Sequence, residues 1–270
     1  MTIVVGIATP EGLVLAGDSR TTQTFGDNDR HRIASDNAQK LFAVEGMGIA
    51  TFGQAFIGRD TIAGVMDQFA AHISGEEFSV ETLAVALGEF FDSRFSEMLQ
   101  AVGEEWDPAN GFALGFLVAG YDEEGIGTIM EVLIPSGEIA SFKATTTDGG
   151  MMWRGQTDVI GRLLKGIDWP CLDTLDVQLT QTQVEKLSNL EYVGLPPITL
   201  QDGIDYASFL VRTTIDMQRF SDGTQSSPGE IPGCGGPLQV LAIERSRHVW
   251  IKALTLHGPS QPGLAEGAAP

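Results

Sequence analysis

The chain has 270 residues, 43% of them apolar, with a formal net charge of −20 and a pI near 4.4. An acidic balance with no basic stripe to neutralise phosphates argues against nucleic-acid binding, and no apolar run reaches the roughly 18 to 20 residues of a membrane span. The acidic residues are spread through the chain, which reads as a solvated surface with at most a leaning toward basic peptides.

The absence of a repeat or polar linker favours one domain, residues 1–257, around one large core. The N-terminus lacks the basic region and small-residue cleavage site of a secretory signal, so a cytoplasmic protein is expected. Cys171 and Cys234 are the only cysteines, too few for a disulfide scaffold and not in metal-ligand spacing. They read as buried thiols, and neither a metal nor a cofactor is expected.

In chain order, Thr2 to Ala8 and Leu13 to Asp18 are short apolar runs around a Pro10-Glu11-Gly12 turn, the signal of a hairpin whose first residue is Thr2. Thr21 to Gln39 is polar, carries no clear period and reads as a loop. Lys40 to Val44 and Gly48 to Thr51 form a second strand pair. From Gln54 to Ile73, Ile62, Met66, Phe69 and Ile73 recur at helical spacing. Ser79 is the expected cap of a second helix that buries Val80, Leu83, Leu87, Phe90, Phe91, Met98 and Val102. Phe95 lies well round from Phe91, so this helix has a wider apolar surface than one core-facing stripe needs.

Three strands follow at 112–121, 128–134 and 139–144, with turns at Glu123-Glu124-Gly125 and Pro135-Ser136-Gly137. Further helices are expected at 158–167 and 202–220. Between them an irregular insertion at about 168–200 holds a short helix near 181–190. Residues 221–236, rich in Gly, Pro and Ser, form a long loop, and a last hairpin spans 238–244 and 248–256. Gly258 to Pro270 is too poor in large apolar residues to be ordered. Two strand pairs, two helices, three strands, two helices and a last hairpin predict an α+β fold, a four-layer αββα sandwich, with a single-sheet α+β domain as the alternative.

The run Thr2-Ile3-Val4-Val5-Gly6-Ile7, followed by Val14-Leu15-Ala16-Gly17-Asp18-Ser19-Arg20 and by Gln39-Lys40-Leu41-Phe42, resembles the opening of proteasome β subunits and their bacterial, ancestral β-type relatives. These are N-terminal-nucleophile (Ntn) hydrolases. The resemblance implies Thr2 as the nucleophile, Asp18 and Lys40 as its charged partners, and an Ntn hydrolase fold. Lys40 is placed by local context, because the preceding loop is about six residues longer than in typical members. Where relatives carry an oxyanion glycine, this chain has Ala50-Thr51-Phe52-Gly53, so the Thr51 backbone N–H is the expected oxyanion donor.

The chemistry of the set stands without the family. A threonine hydroxyl is a poor nucleophile until a base takes its proton, and a free α-amino group, with an ordinary pKa of about 7.7 to 8.0, can be that base. Thr2 must therefore become the N-terminus, and Met1 is removable because the side chain after it is small. An ammonium on Lys40 would favour the neutral amine, and the Asp18 carboxylate would orient it. Taken singly, each residue has an ordinary structural reading: a permissive start, a turn cap, a lysine snorkelling to solvent. Their joint occurrence on the first hairpin and the next strand supports the resemblance, which implies a threonine-type amide-bond hydrolase, a peptidase. Lys40→Ala and Asp18→Asn are each expected to abolish most turnover with the fold intact.

Departures from the family pattern keep alternatives open. Trp153-Arg154-Gly155 stands where an assisting Ser-x-Gly is expected, and Asp216 or Ser221 with Asp222 are loose candidates for a second assisting pair. His72 and His248 read as structural. The alternatives are a catalytically silent subunit with a structural or binding role, or a free-standing amidase or acyl transferase. The implied partners are a peptide or other amide substrate and copies of the chain itself, in a ring or helical homo-oligomer through the two first helices. An unfoldase partner is not identified by any residue.

Overall fold

The computed structural model describes residues 2–25, 30–135, 138–174, 176–192, 194–224 and 227–255. The tail expected to be unordered, 258–270, lies outside the described residues, as do Ser136 and Gly137 of one predicted turn.

The chain opens with antiparallel strands β1 (Ile3–Thr9) and β2 (Gly12–Gly17), in which every residue is buried. Successive side chains of a strand point to opposite faces, so an unbroken apolar run fits a strand covered on both. Ile3, Val5 and Ile7 enter one apolar cluster, and Val4 and Ala8 another.

The polar stretch expected as a loop instead carries a hairpin, β3 (Thr21–Phe25) with β4 (Arg30–Ser35). Its β-branched threonines favour extended backbone, but the sequence lacks the apolar period that marks a half-buried strand. The strands β5 (Leu41–Val44) and β6 (Met47–Gly53) follow as expected. The helix anticipated from Gln54 starts later, because a miniature hairpin, β7 (Phe56–Ile57) and β8 (Asp60–Thr61), comes first. Helix α1 (Ile62–His72) begins where Thr61 Oγ1 accepts the Gly64 N–H.

Helix α2 (Val80–Val102) starts at the expected Ser79 cap, with reciprocal bonds between Ser79 and Thr82. Phe91 and Phe95 of its wide apolar surface are covered from within the chain, and Phe90 is partly so. Phe91 packs on Phe116 with ring centroids 4.6 Å apart, Phe95 on Trp106 at 5.5 Å, and Phe90 on Phe69 at 5.4 Å. Val102, expected inside, is exposed.

The three central strands are β9 (Leu114–Tyr121), β10 (Gly127–Ile134) and β11 (Glu138–Thr145). A strand that the sequence did not mark, β12 (Gly150–Gly155), pairs with β1. Helix α3 (Asp158–Lys165) precedes the short α4 (Trp169–Thr174) and α5 (Gln181–Ser188), and α6 (Leu200–Arg219) is the long second-half helix. The two-residue strands β13 (Gly223–Thr224) and β14 (Ser227–Pro228) lie in the long loop before the closing hairpin β15 (Gln239–Glu244) and β16 (Arg247–Lys252).

Two five-stranded sheets result, ordered β12-β1-β2-β15-β16 and β11-β10-β9-β6-β5, with antiparallel pairing throughout. Phe69, Leu87 and Phe91 from α1 and α2 cluster with Phe116 and Val132 of the second sheet. Ile160, Leu210 and Val211 from α3 and α6 cluster with Val5 and Val14 of the first. A third cluster joins Val4, Leu13 and Leu15 to Phe52, Leu117 and Ile129, sheet to sheet. The fold is thus mixed α+β with several antiparallel sheets, and the single-sheet alternative is set aside. Each large side chain in these clusters contributes about 1.5–3 kcal/mol. Among the described residues, no helix is long and apolar enough to cross a membrane.

Candidate active site

Asp18 follows directly on β2, and its side chain has no exposure at all. Four donors converge on it: the Ile3 N–H at 3.1 Å and Lys40 Nζ at 2.7 Å on Oδ1, the Arg20 N–H at 3.1 Å and the Gly235 N–H at 3.0 Å on Oδ2. A buried carboxylate needs this degree of pairing to offset its lost hydration. Three of the donors belong to the backbone, so the main chain of β1, the exit of β2 and the loop before β15 fix where it sits.

Lys40, just ahead of β5, leaves 5% of its side chain exposed. Its backbone is held by Gln239, which the sequence reading missed. The N–H groups of Lys40 and Leu41 donate to Gln239 Oε1 at 3.2 and 3.3 Å, while Gln239 Nε2 donates to Ser19 Oγ at 2.7 Å and to the Ala38 carbonyl at 3.0 Å. The one signal for it is a lone amide at the head of the apolar run Val240 to Ile243.

Thr2 is buried, and its carbonyl accepts the Gln156 N–H at 2.6 Å. Gly155, with φ 97°, approaches so closely that a Cβ there would run into the same carbonyl oxygen. Gln156 Oε1 accepts from Gln218 Nε2 at 3.2 Å, and Gln218 Oε1 accepts the Cys234 N–H at 2.7 Å. A run of amides therefore ties the backbone around Thr2 to α6 and to the loop before β15. Neither glutamine carries a sequence signal.

Thr2, Lys40 and Thr51 line one cleft of about 610 Å³, and buried Asp18 lies behind it, in contact with Lys40. The expected role of Thr51 needs correction. Its N–H donates to the Lys40 carbonyl at 2.9 Å, continuing the β5–β6 ladder, so that donor is already engaged. Backbone groups alternate along an antiparallel strand. The Gln54 N–H is turned to the other side, onto the Ala113 carbonyl at 2.9 Å, which leaves the Gly53 N–H on the same edge as that of Thr51, beyond the end of β5. Gly53 lines the cleft and adopts φ 91°, a conformation that only glycine takes without strain.

The other sequence candidates lie outside the cleft. Arg154 makes a two-pronged ion pair with the buried Glu131, Arg154 Nη2 to Glu131 Oε2 being 2.9 Å. Asp216 accepts from Arg212 Nε at 2.7 Å along α6, and Ser221 and Asp222 are exposed. None of these, nor His72 or His248, is among the cleft residues.

Arg20 grips Asp36 through Nε at 2.6 Å and Nη2 at 3.0 Å, and its Nη1 donates to the Pro232 carbonyl at 3.2 Å. That hydrogen bonding raises the Arg20 pKa and lowers that of Asp36. Cys234 is almost wholly buried, and burial first, then the Asp18 charge, pushes its thiol well above the usual range. Among the described residues, no cluster of His, Cys, Asp and Glu could hold a metal ion.

No family model matches the chain, and no curated protein matches it. Among solved structures it is similar to Anbu (ancestral beta-subunit) from Yersinia bercovieri, with a TM-score of 0.52 and 15% identity over 92% of this chain and 87% of that one. It is also similar to the Anbu (Gly-1) mutant from Hyphomicrobium sp. strain MC1, with a TM-score of 0.50 and 16% identity over 94% of this chain and 88% of that one. The likeness is one of fold. The assignment to the proteasome β-type family, drawn from the opening motifs, is therefore overturned: no family model recognises the chain, and identities of 15% and 16% carry no membership. Apolar, β-branched runs around a Pro-Gly turn are what any buried hairpin requires, so the opening strands by themselves do not single out one family.

Proposed function

We propose that the chain is an amide-bond hydrolase whose nucleophile is the Thr2 hydroxyl, freed as an N-terminal residue by removal of Met1. The observation that carries this reading is the shared cleft of Thr2 and Lys40, with Lys40 Nζ held 2.7 Å from buried Asp18. Thr2 Oγ attacks the substrate carbonyl carbon and its proton passes to the Thr2 amine, which then protonates the departing amine of the substrate. Water, deprotonated by the same amine, hydrolyses the resulting ester. The Lys40 ammonium favours the neutral amine and steadies the developing alkoxide, and Asp18 positions Lys40. The Gly53 N–H replaces that of Thr51 as the donor to the oxyanion.

The fold likeness to a protein described as an ancestral beta-subunit supports this reading, as do the three apolar clusters, which fit the interfaces of a four-layer αββα sandwich. The proposal extends to one domain over 1–257, with an irregular insertion at about 168–200 and a long loop at 221–236, in a cytoplasmic homo-oligomer acting on peptides. A catalytically silent subunit is the second reading, favoured by Arg154 standing paired to Glu131 where an assisting serine was sought.

The test is an electrophile reactive toward N-terminal threonine, followed by mass mapping. An adduct on Thr2 that disappears in Thr2→Ala supports the hydrolase. A natively produced protein that retains Met1, or an adduct only elsewhere, overturns it, because an acylated nitrogen cannot serve as the base.

A further inference from the structure

The cleft beside Thr2 is closed by segments that have little to do with Lys40 or Asp18. The β3–β4 hairpin contributes Thr21, Thr22 and Ser35, the β7–β8 turn and the start of α1 contribute Phe56, Thr61 and Ile62, and Leu254 reaches in from beyond β16. At about 610 Å³ the space accommodates a large side chain together with the backbone on either side of a scissile bond.

The lining is notable for its chemistry. Phe52, Phe56, Ile62 and Leu254 form an apolar wall, and the threonines, Ser35 and Asn37 supply neutral polar groups. Among the described residues the only ionisable side chain on the cleft is that of Lys40, whose ammonium is already paired with Asp18 at 2.7 Å. A cation entering here would lose hydration and gain no opposite charge, and a carboxylate would find only an ammonium already committed to Asp18. The net charge of −20 works the other way for cations, drawing basic peptides toward the surface as a whole. At the cleft that attraction meets Lys40 and no carboxylate.

We propose that this cleft selects a neutral, apolar substrate side chain next to the bond cleaved, and rejects both acidic and basic ones. The inference rests on the Thr2 reading above for the position of the bond, and on the lining alone for the selectivity. It revises the leaning toward basic peptides suggested by overall charge. Thr61 offers a clean way to alter it: exposed, on the cleft, and the cap of α1 through its Oγ1. Aspartate caps a helix at least as well as threonine, so Thr61→Asp adds a carboxylate to the lining while keeping the cap.

The full-length protein lacking Met1 is treated with peptidyl electrophiles identical except for Leu, Phe, Glu or Lys beside the reactive carbonyl, and the rate of adduct formation on Thr2 is followed by mass. Leu and Phe are expected to react at least tenfold faster than Glu and Lys, and Thr61→Asp to raise the Lys-to-Leu ratio at least fivefold. Equal or faster reaction of the Lys or Glu probe overturns the proposal. If no probe labels Thr2, a small electrophile without a side chain included, the nucleophile reading fails. Calorimetric titration of the matching peptide amides then decides the cleft separately: at least tenfold tighter binding of the Leu and Phe peptides sustains its selectivity, and equal or absent binding ends it.

Discussion

Lys40 Nζ stands 2.7 Å from Asp18 Oδ1, and neither side chain is more than 5% exposed. The pair is not equally supported on its two sides. Asp18 keeps three backbone donors if Lys40 is removed, whereas loss of Asp18 leaves the ammonium buried beside three orphaned N–H groups. Sequence alone suggested that either residue could be changed with the fold intact, and the burial revises that. Asp18→Ala is expected to cost about 3–5 kcal/mol in chemical denaturation, with Lys40→Met costing clearly less. Both should abolish most turnover, and the double variant should lose little more than either single one.

Gly235 lies against the Arg20 guanidinium, so that a Cβ there would displace it, while its N–H holds Asp18. Gly235→Ala should therefore destabilise by about 1–3 kcal/mol, the usual range for overpacking, and reduce turnover without touching the cleft lining. Thermal melts and assays of this variant beside Cys171→Ala, a position away from the site, measure the effect. Unchanged stability would show that Arg20 moves aside freely.

The Arg20–Asp36 pair gives a pH signature of known sign. Asp36 has its folded-state pKa held below its ordinary 3.8 by the hydrogen bonds from Arg20. The stabilisation is therefore present above about pH 3.8 and is lost as pH falls through the lower folded-state value. Because Asp36 is 43% exposed, solvent screens the pair and its worth is only about 0.2–1 kcal/mol. The melting difference between the protein and Asp36→Asn should stay constant from pH 7 to near 4 and shrink below that, as differential scanning calorimetry can follow.

Cys234 and Cys171 should separate in a thiol-labelling experiment. Burial and the Asp18 charge keep the Cys234 thiol protonated, and thiolate is the reactive form. At pH 8 a small alkylating reagent is expected to modify the half-buried Cys171 in the native protein and Cys234 only after unfolding. Rapid native labelling of Cys234, located by mass, would mean that the loop before β15 opens readily.

Self-association should respond to salt. A net charge of −20 opposes contact between copies at low ionic strength, so the proposed homo-oligomer is expected to grow as added salt screens that repulsion. Light scattering over a range of salt and concentration checks it, and a strict monomer throughout would favour a free-standing amidase. Phe91 and Phe95 of α2 are not the place to look for the contact, since they are covered by Phe116 and Trp106.

What the sequence determined by itself was local. Unbroken apolar runs marked β1 and β2 as strands covered on both faces, Ser79 marked the start of α2, and short motifs picked out Thr2, Asp18 and Lys40, two of which share a cleft while the third lies buried beside it. Periodicity reports which faces are apolar, and caps report where helices begin. Neither names the element that will cover a face or the group that will meet a donor. That was left to the tertiary structure: β12 returns to pair with β1, Gln239 grips Lys40 from 199 residues away, and Gly235 reaches Asp18 across 217. The engagement of the Thr51 N–H, on which the proposal of Gly53 rests, has the same cause. Every non-proline residue has an N–H, and which one is left for a substrate depends on where the neighbouring strand stops, a fact of packing that no single segment contains.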